Sequence, residues 1–374
     1  MDRIKSLNVY FGERLVGKMA LYRERLAAFE YSDEWMADGF SISPFSLPLE
    51  KKVFIPKTDP LDGVFGVFAD SLPDGWGRLI TDRLMLKNGL DPYRMGNLDR
   101  LAIVGDSGMG ALSYRPEIEL EQGDTSLSLD EAALECKRLL ETEETENLDY
   151  LFKNGGSSGG ARPKILAKVD GEDWIIKFPS SEDRKNIGKQ EYDYALCAKE
   201  CGIDMEDVRL FPSELCDGYF GTRRFDRKNG KRIHMVSAAG LLETSHRIPN
   251  LDYDLLMRMT LQLTGSMGEC EKLFRRMCFN VFAHNRDDHS KNFTFLYSED
   301  QKRWALSPAY DLTYSSSLGG EHATTVHGNG MNPSLPDIIC VAEGIGINKT
   351  KARNIALDIE DCVRKNLAEY LKRQ

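Results

Sequence analysis

HNRDDHSKNF, residues 284–293, followed by SPAYDLTYS, residues 307–315, is the stretch that decides how this chain is read. Asp287 and Asn292 stand five positions apart, the spacing of a kinase catalytic loop. Beyond Asn292 come two strand-like segments, FTFLY (293–297) and RWALS (303–307), joined by the polar SEDQK; this pattern predicts a hairpin. Its arms run side by side, so Asn292 before it and Asp311 after it are expected at one edge.

Charge explains why phosphoryl transfer needs such groups. A triphosphate is strongly anionic, so hard cations held by oxygen ligands must neutralise it while another carboxylate orients the attacking hydroxyl. On this reading Asp287 positions or deprotonates the acceptor, Asn292 and Asp311 hold magnesium, and Lys291 balances charge. Asp288 is the rival base; the distance to Asn292 favours Asp287. Adjacent carboxylates in a polar loop are also common as solvated turn residues, so the spacing alone decides nothing. His284 and His289, five apart, fall on different faces of a helix, which makes a zinc pair a weak reading.

A second constellation lies in residues 153–179, KNGGSSGGARPKILAKVDGEDWIIKFP. Gly155, Gly156, Gly159 and Gly160, with Ser157 and Ser158 among them, form a loop whose backbone amides can approach phosphate oxygens closely, without the Walker lysine-threonine pair. KILAKV and WIIKF then read as strands about an Asp-Gly turn, so Lys177 sits on a strand. A helix is expected over 187–201, with Glu191 near its start as partner for Lys177. Either part alone is an ordinary loop or hairpin. Both together follow the kinase order: Gly loop, lysine, glutamate, Asp/Asn loop, metal aspartate.

On FADSLPDGWGRLITDR (68–83), LAIVGDSGMGALSYRP (101–116), SSGGARPK (157–164), WIIKFP (174–179), RRFDR (223–227), the 284–293 stretch and AYDL (309–312), the chain resembles the HipA family of toxin serine/threonine kinases. The resemblance implies an ATP- and magnesium-dependent protein kinase encoded with a small HipB-like helix-turn-helix antitoxin, and an aminoacyl-tRNA synthetase as substrate. Matched residue by residue, Lys177 contacts the ATP phosphates, Asp287 is catalytic, Asn292 and Asp311 bind magnesium, and Ser157 is the autophosphorylated serine, with Ser158 the competing acceptor. A phosphoserine there adds nearly two negative charges to a loop that cradles phosphates, so it acts as an off switch. RRFDR invites a hinge assignment that puts Phe225 beside Gly159, Gly160 and Glu191 among the nucleotide-binding candidates. Arg223 departs from the acidic residue the family often carries, and residues 234–256 lack the acidic-glutamine element of some members, which marks a divergent branch.

Composition bounds the reading. At 374 residues the chain exceeds one typical core, and 41% hydrophobic residues indicate a globular protein. Eight scattered cysteines, no CxxC and no secretory leader lead us to expect a reducing cytoplasm without disulfides. Cys197 and Cys201 share a helix face and are read as packing residues rather than metal ligands. No apolar run is long enough to cross a bilayer. A formal charge of −10 argues against direct non-specific DNA binding, so DNA contact is expected mainly through the antitoxin.

Elsewhere, Trp76 in PDGW is expected to be a core anchor, and GDSGMGA a tight connection between strands. Helices are expected at 130–140 and 348–371 and in the segment carrying Leu273, Phe274, Met277, Cys278, Val281 and Phe282. The whole reads as an α+β, two-lobed, protein-kinase-like fold: a β-rich N-terminal HipA-type domain (1–118), a nucleotide-binding lobe (119–226) and a mainly helical catalytic lobe (227–374). Two other functions stay open: a lipid or small-molecule kinase, because the Asp/Asn/Asp set specifies donor and metal rather than acceptor, and a catalytically weak antitoxin-binding co-repressor.

Overall fold

The computed structural model describes residues 3–118, 120, 126–143, 145–156, 159–317 and 319–372. They fall into two compact units: Met1–Gly188 with Leu210–Val236 and Gly240–Thr244, and Lys189–Arg209 with Ser237–Ala239 and Ser245–Gln374. Helix and strand are mixed, as the α+β reading expected.

The first unit opens with an antiparallel sheet in the order Leu26–Tyr31, Arg14–Tyr22, Ser6–Phe11, Leu112–Arg115. Alternation sends Leu7 and Val9 inward to join Val16, Met19, Phe29 and Tyr114 in the core. Gly17 has no substitute here, because a Cβ would stand 2.2 Å from the Glu30 carbonyl oxygen.

A second sheet pairs Lys164–Val169 with Glu172–Lys177, and the latter with Tyr219–Arg223. Its inward residues Ile165, Trp174 and Ile176 share one apolar cluster with Ile80 and Leu84 of the Gly75–Lys87 helix and with Leu139 and Leu151 of the helices Leu129–Leu140 and Leu148–Gly155. Burial of each such side chain contributes about 1.5–3 kcal/mol. Trp76, 1% exposed, is the core anchor expected of it.

GDSGMGA joins the helix Asn97–Val104 to the strand Leu112–Arg115 rather than joining two strands. The local cause is Asp99, whose carboxylate accepts from the Gly96 N–H at 2.8 Å and caps a helix where an extended segment was expected. The loop is clasped by RRFDR. Asp226, fully buried, accepts from the Gly110 N–H at 2.8 Å, from Arg224 Nη2 at 2.7 Å and from Arg227 Nη1 at 2.8 Å. Burial by itself raises the Asp226 carboxyl, but the two guanidiniums and the amide outweigh it and hold the group below the usual carboxylate range.

The second unit is mainly helical. Tyr253–Thr264 and Met267–Phe282 are joined through Gly265, whose φ of 62° suits the left-handed C-cap. Leu273, Phe274, Met277, Cys278 and Val281 are buried, as their spacing predicts. The Lys349–Asn366 helix packs on Met267–Phe282 through a buried stripe that includes Ala352, Ile355, Ile359 and Val363. The predicted hairpin is present as Thr294–Ser298 and Arg303–Leu306, with Phe295 opposite Leu306 and Ser298 opposite Arg303.

Candidate active site

In the second unit the Met267–Phe282 helix delivers the chain into residues 284–293, where His284 has φ +53°. Asp311 has φ +53° as well. Non-glycine residues in the left-handed region concentrate where a chain must aim a side chain, and Asp and His tolerate it better than most. Residues 285 and 315 form a parallel bridge, with the Ser315 N–H donating to the His284 carbonyl at 3.0 Å. Across the loop, the Tyr310 hydroxyl donates to the Lys291 carbonyl at 2.5 Å. The residue before Asp311 thus touches the residue before Asn292.

Asn292 is buried and its Nδ2 donates to the Asp287 carbonyl at 2.7 Å. That bond uses the amide nitrogen, and the Asn292 Oδ1 and the Asp311 carboxylate are each of the oxygen type that could hold a hard cation such as magnesium.

The two neighbouring aspartates differ sharply. Asp287 is exposed, whereas Asp288 is fully buried. The Asp288 carboxylate accepts from the Tyr253 hydroxyl at 2.9 Å and the Thr324 N–H at 3.1 Å, and has His322 Nδ1 at 3.1 Å. Asn280 Nδ2 donates to the Tyr253 oxygen at 2.9 Å, and Asn285 Nδ2 to Asn280 Oδ1 at 3.0 Å, so a chain of buried polar contacts runs beneath the loop. Burial, with the Asp288 charge beside it, keeps the Tyr253 phenol protonated far above its ordinary value. Burial also pulls the His284 imidazole below its usual range, helped by Arg286 and His322.

Asn285 Oδ1, Arg286 Nε, His289 Nδ1, Ser290 Oγ and Thr313 Oγ1 are buried without a hydrogen-bond partner. Among the described residues, five of the eight side-chain atoms in this state lie in the two segments 284–293 and 307–315. Buried polar groups are nearly always satisfied, so their concentration marks a place built to receive something polar. Of these five residues only His289 is singled out by its spacing in the sequence; the other four are not.

In the first unit the glycine-rich segment is held by PDGW. The Gly160 N–H donates to Asp74 Oδ1, the Trp76 N–H to the Gly160 carbonyl at 2.9 Å, and the Trp76 indole N–H to the Lys164 carbonyl at 3.0 Å. Gly160 takes φ +82°. Ser157 and Ser158 lie outside the described residues. Lys177 stands opposite Lys164 across the strand pair, its ammonium 5.5 Å from the Phe220 ring centre. Lys164 is buried and donates to the Gly159 carbonyl, a role that only the fold reveals, since the sequence shows merely one lysine after a proline. Phe225 is half-buried beside the Arg224–Asp226 pair. Glu191 is buried near the start of the helix Ile187–Glu200, in the second unit, whereas Lys177 belongs to the first.

Residues 7–115 match the HipA N-terminal domain, and residues 156–367 match the HipA-like C-terminal domain. The chain belongs to the HipA family. Among relatives of this HipA-family chain, the putative kinase Y4dM of Sinorhizobium fredii is 28% identical over 174 residues, 43% of this chain and only 41% of that protein. The putative kinase Y4mE of the same organism is 25% identical over 345 residues, 83% of this chain and 77% of its own length. In fold the chain is similar to HipA of Shewanella oneidensis MR-1, solved with HipB and operator DNA: TM-score 0.70 at 17% identity, covering 98% of this chain and 91% of that one. Among the described residues no helix is long and apolar enough to cross a membrane.

Proposed function

We propose that this HipA-family chain is a magnesium-dependent kinase that moves the γ-phosphoryl group of ATP to a serine or threonine hydroxyl of a protein. The observation that carries the reading is the pairing of an exposed Asp287 with Asn292, whose amide nitrogen is spent on the Asp287 carbonyl. Asp287 takes the acceptor proton as the hydroxyl oxygen bonds to phosphorus and ADP leaves. Asn292 and Asp311 hold magnesium, which when bound neutralises phosphate charge. Asp288 keeps its carboxylate inside the buried network and so positions the loop rather than touching substrate. Lys177 and the Gly159–Gly160 amides bind the phosphates of ATP, and Phe225 lies at the adenine end.

The names of the relatives support kinase activity, and the Shewanella complex supports a HipB-like antitoxin through which DNA is met. Ser157 is the proposed site of self-modification. The test is intact and peptide mass spectrometry after incubation with magnesium and ATP, beside Asp287→Ala. A phosphate on Ser157 only in the protein with Asp287 supports the reading; transfer undiminished in Asp287→Ala removes it.

A further inference from the structure

Away from the Asp287 stretch, the second unit brings three cysteines together. Cys197 lies on the helix Ile187–Glu200, Cys201 one turn later at its end, and Cys362 on the helix Lys349–Asn366. Their sulfur atoms all lie within 4.8 Å of one another. Cys197 and Cys201 are 2% and 7% exposed, whereas Cys362 is half-buried. Buried cysteines usually pack singly as small apolar groups, as Cys136, Cys270 and Cys278 do here. Three thiols in a triangle form a different object.

We propose that Cys197, Cys201 and Cys362 form a binding site for a thiophilic d¹⁰ cation, with zinc(II) the ion it fits. Thiolates about 2.3 Å from a tetrahedral zinc stand about 3.8 Å apart, so sulfurs already within 4.8 Å need only a small contraction. Each thiol that coordinates gives its proton to solvent, and a water would complete the fourth position. Asn366 Nδ2, 3.5 Å from Cys362 Sγ, supplies the outer hydrogen bond that thiolate sites recurrently use. A disulfide would use two of the three sulfurs and strand the third, which is why a metal accounts for the triangle better. The bound ion clamps the Lys349–Asn366 helix to the helix that carries Glu191. The sequence hides the site, because Cys362 is remote from the other two.

The test uses the full chain, reduced and stripped with chelator, then titrated with zinc against a chromophoric competitor. One equivalent of tightly held zinc is expected, with a melting temperature raised by the metal. Cys362→Ser should weaken binding about tenfold or more, while Cys340→Ser, at an exposed cysteine outside the cluster, should not. As a check that needs no variant, zinc should protect the half-buried Cys362 from alkylation and leave the exposed Cys340 reactive. Zinc retained well below one equivalent, equal affinity in the two variants, or a disulfide formed among the three under the same conditions overturns the proposal.

Discussion

The Tyr310 hydroxyl donates to the Lys291 carbonyl at 2.5 Å and, with its proton so used, accepts from Thr294 Oγ1 at 2.6 Å. This one phenol fixes the register between the loop holding Asn292 and the loop holding Asp311. Tyr310→Phe should therefore lower stability by about 1 kcal/mol and raise the magnesium concentration needed for half-maximal turnover several-fold, with the nucleotide KM at saturating magnesium little changed. A magnesium titration of ATP turnover, beside a urea melt, reads both effects.

Asp287 and Asp288 separate function from stability. Asp287→Asn, at an exposed position, should change the unfolding free energy by less than about 0.5 kcal/mol while turnover falls at least about a hundredfold. Asp288→Ala should destabilise by about 3 kcal/mol or more, because the Tyr253 hydroxyl and the Thr324 amide lose their buried acceptor. Chemical denaturation of both variants beside the parent checks the contrast.

Much of the second unit was legible because its signals are local. Two strand-like segments, FTFLY and RWALS, joined by the polar SEDQK gave the hairpin, and the spacing of Leu273, Met277 and Val281 gave the helix ahead of the loop. What was not legible arises from contacts distant in sequence. The Asp74 and Trp76 latch on Gly160, the burial of Lys164 and the arrival of Cys362 beside Cys197 leave no periodic mark. The helix over 97–104 was missed for a local reason: its cap is a glycine backbone paired with Asp99, so no Ser or Thr announces it.

Gly75 takes φ +42°, and a Cβ there would stand 2.5 Å from the Gly160 carbonyl oxygen. Gly75→Ala should push the glycine-rich segment off its seat. If that segment binds ATP, the nucleotide KM rises about tenfold with a much smaller change in kcat, which steady-state kinetics at saturating magnesium will show.

His234 is fully buried with Nε2 donating to the Ile42 carbonyl at 2.8 Å, and burial pushes its pKa down to about 4. The unfolded chain has this group near 6.5, so below that pH the unfolded state takes up a proton that the folded state does not. Its contribution to stability is thus present above about pH 6.5 and is lost as pH falls toward 4, by at most about 3 kcal/mol. Urea melts at pH 7 and pH 5 should show about 2 kcal/mol more acid destabilisation in the parent than in His234→Gln.

The central claim is that the Asp287, Asn292 and Asp311 site performs phosphoryl transfer. It is met most directly by following the labelled γ-phosphate of ATP, with magnesium, onto the protein itself or onto proteins of a bacterial extract cleared of its own kinases. The account predicts transfer by the parent chain and a loss of at least about a hundredfold in Asp287→Asn at unchanged melting temperature. Equal transfer by parent and variant, or none by a fully folded, unmodified parent in either setting, would contradict it.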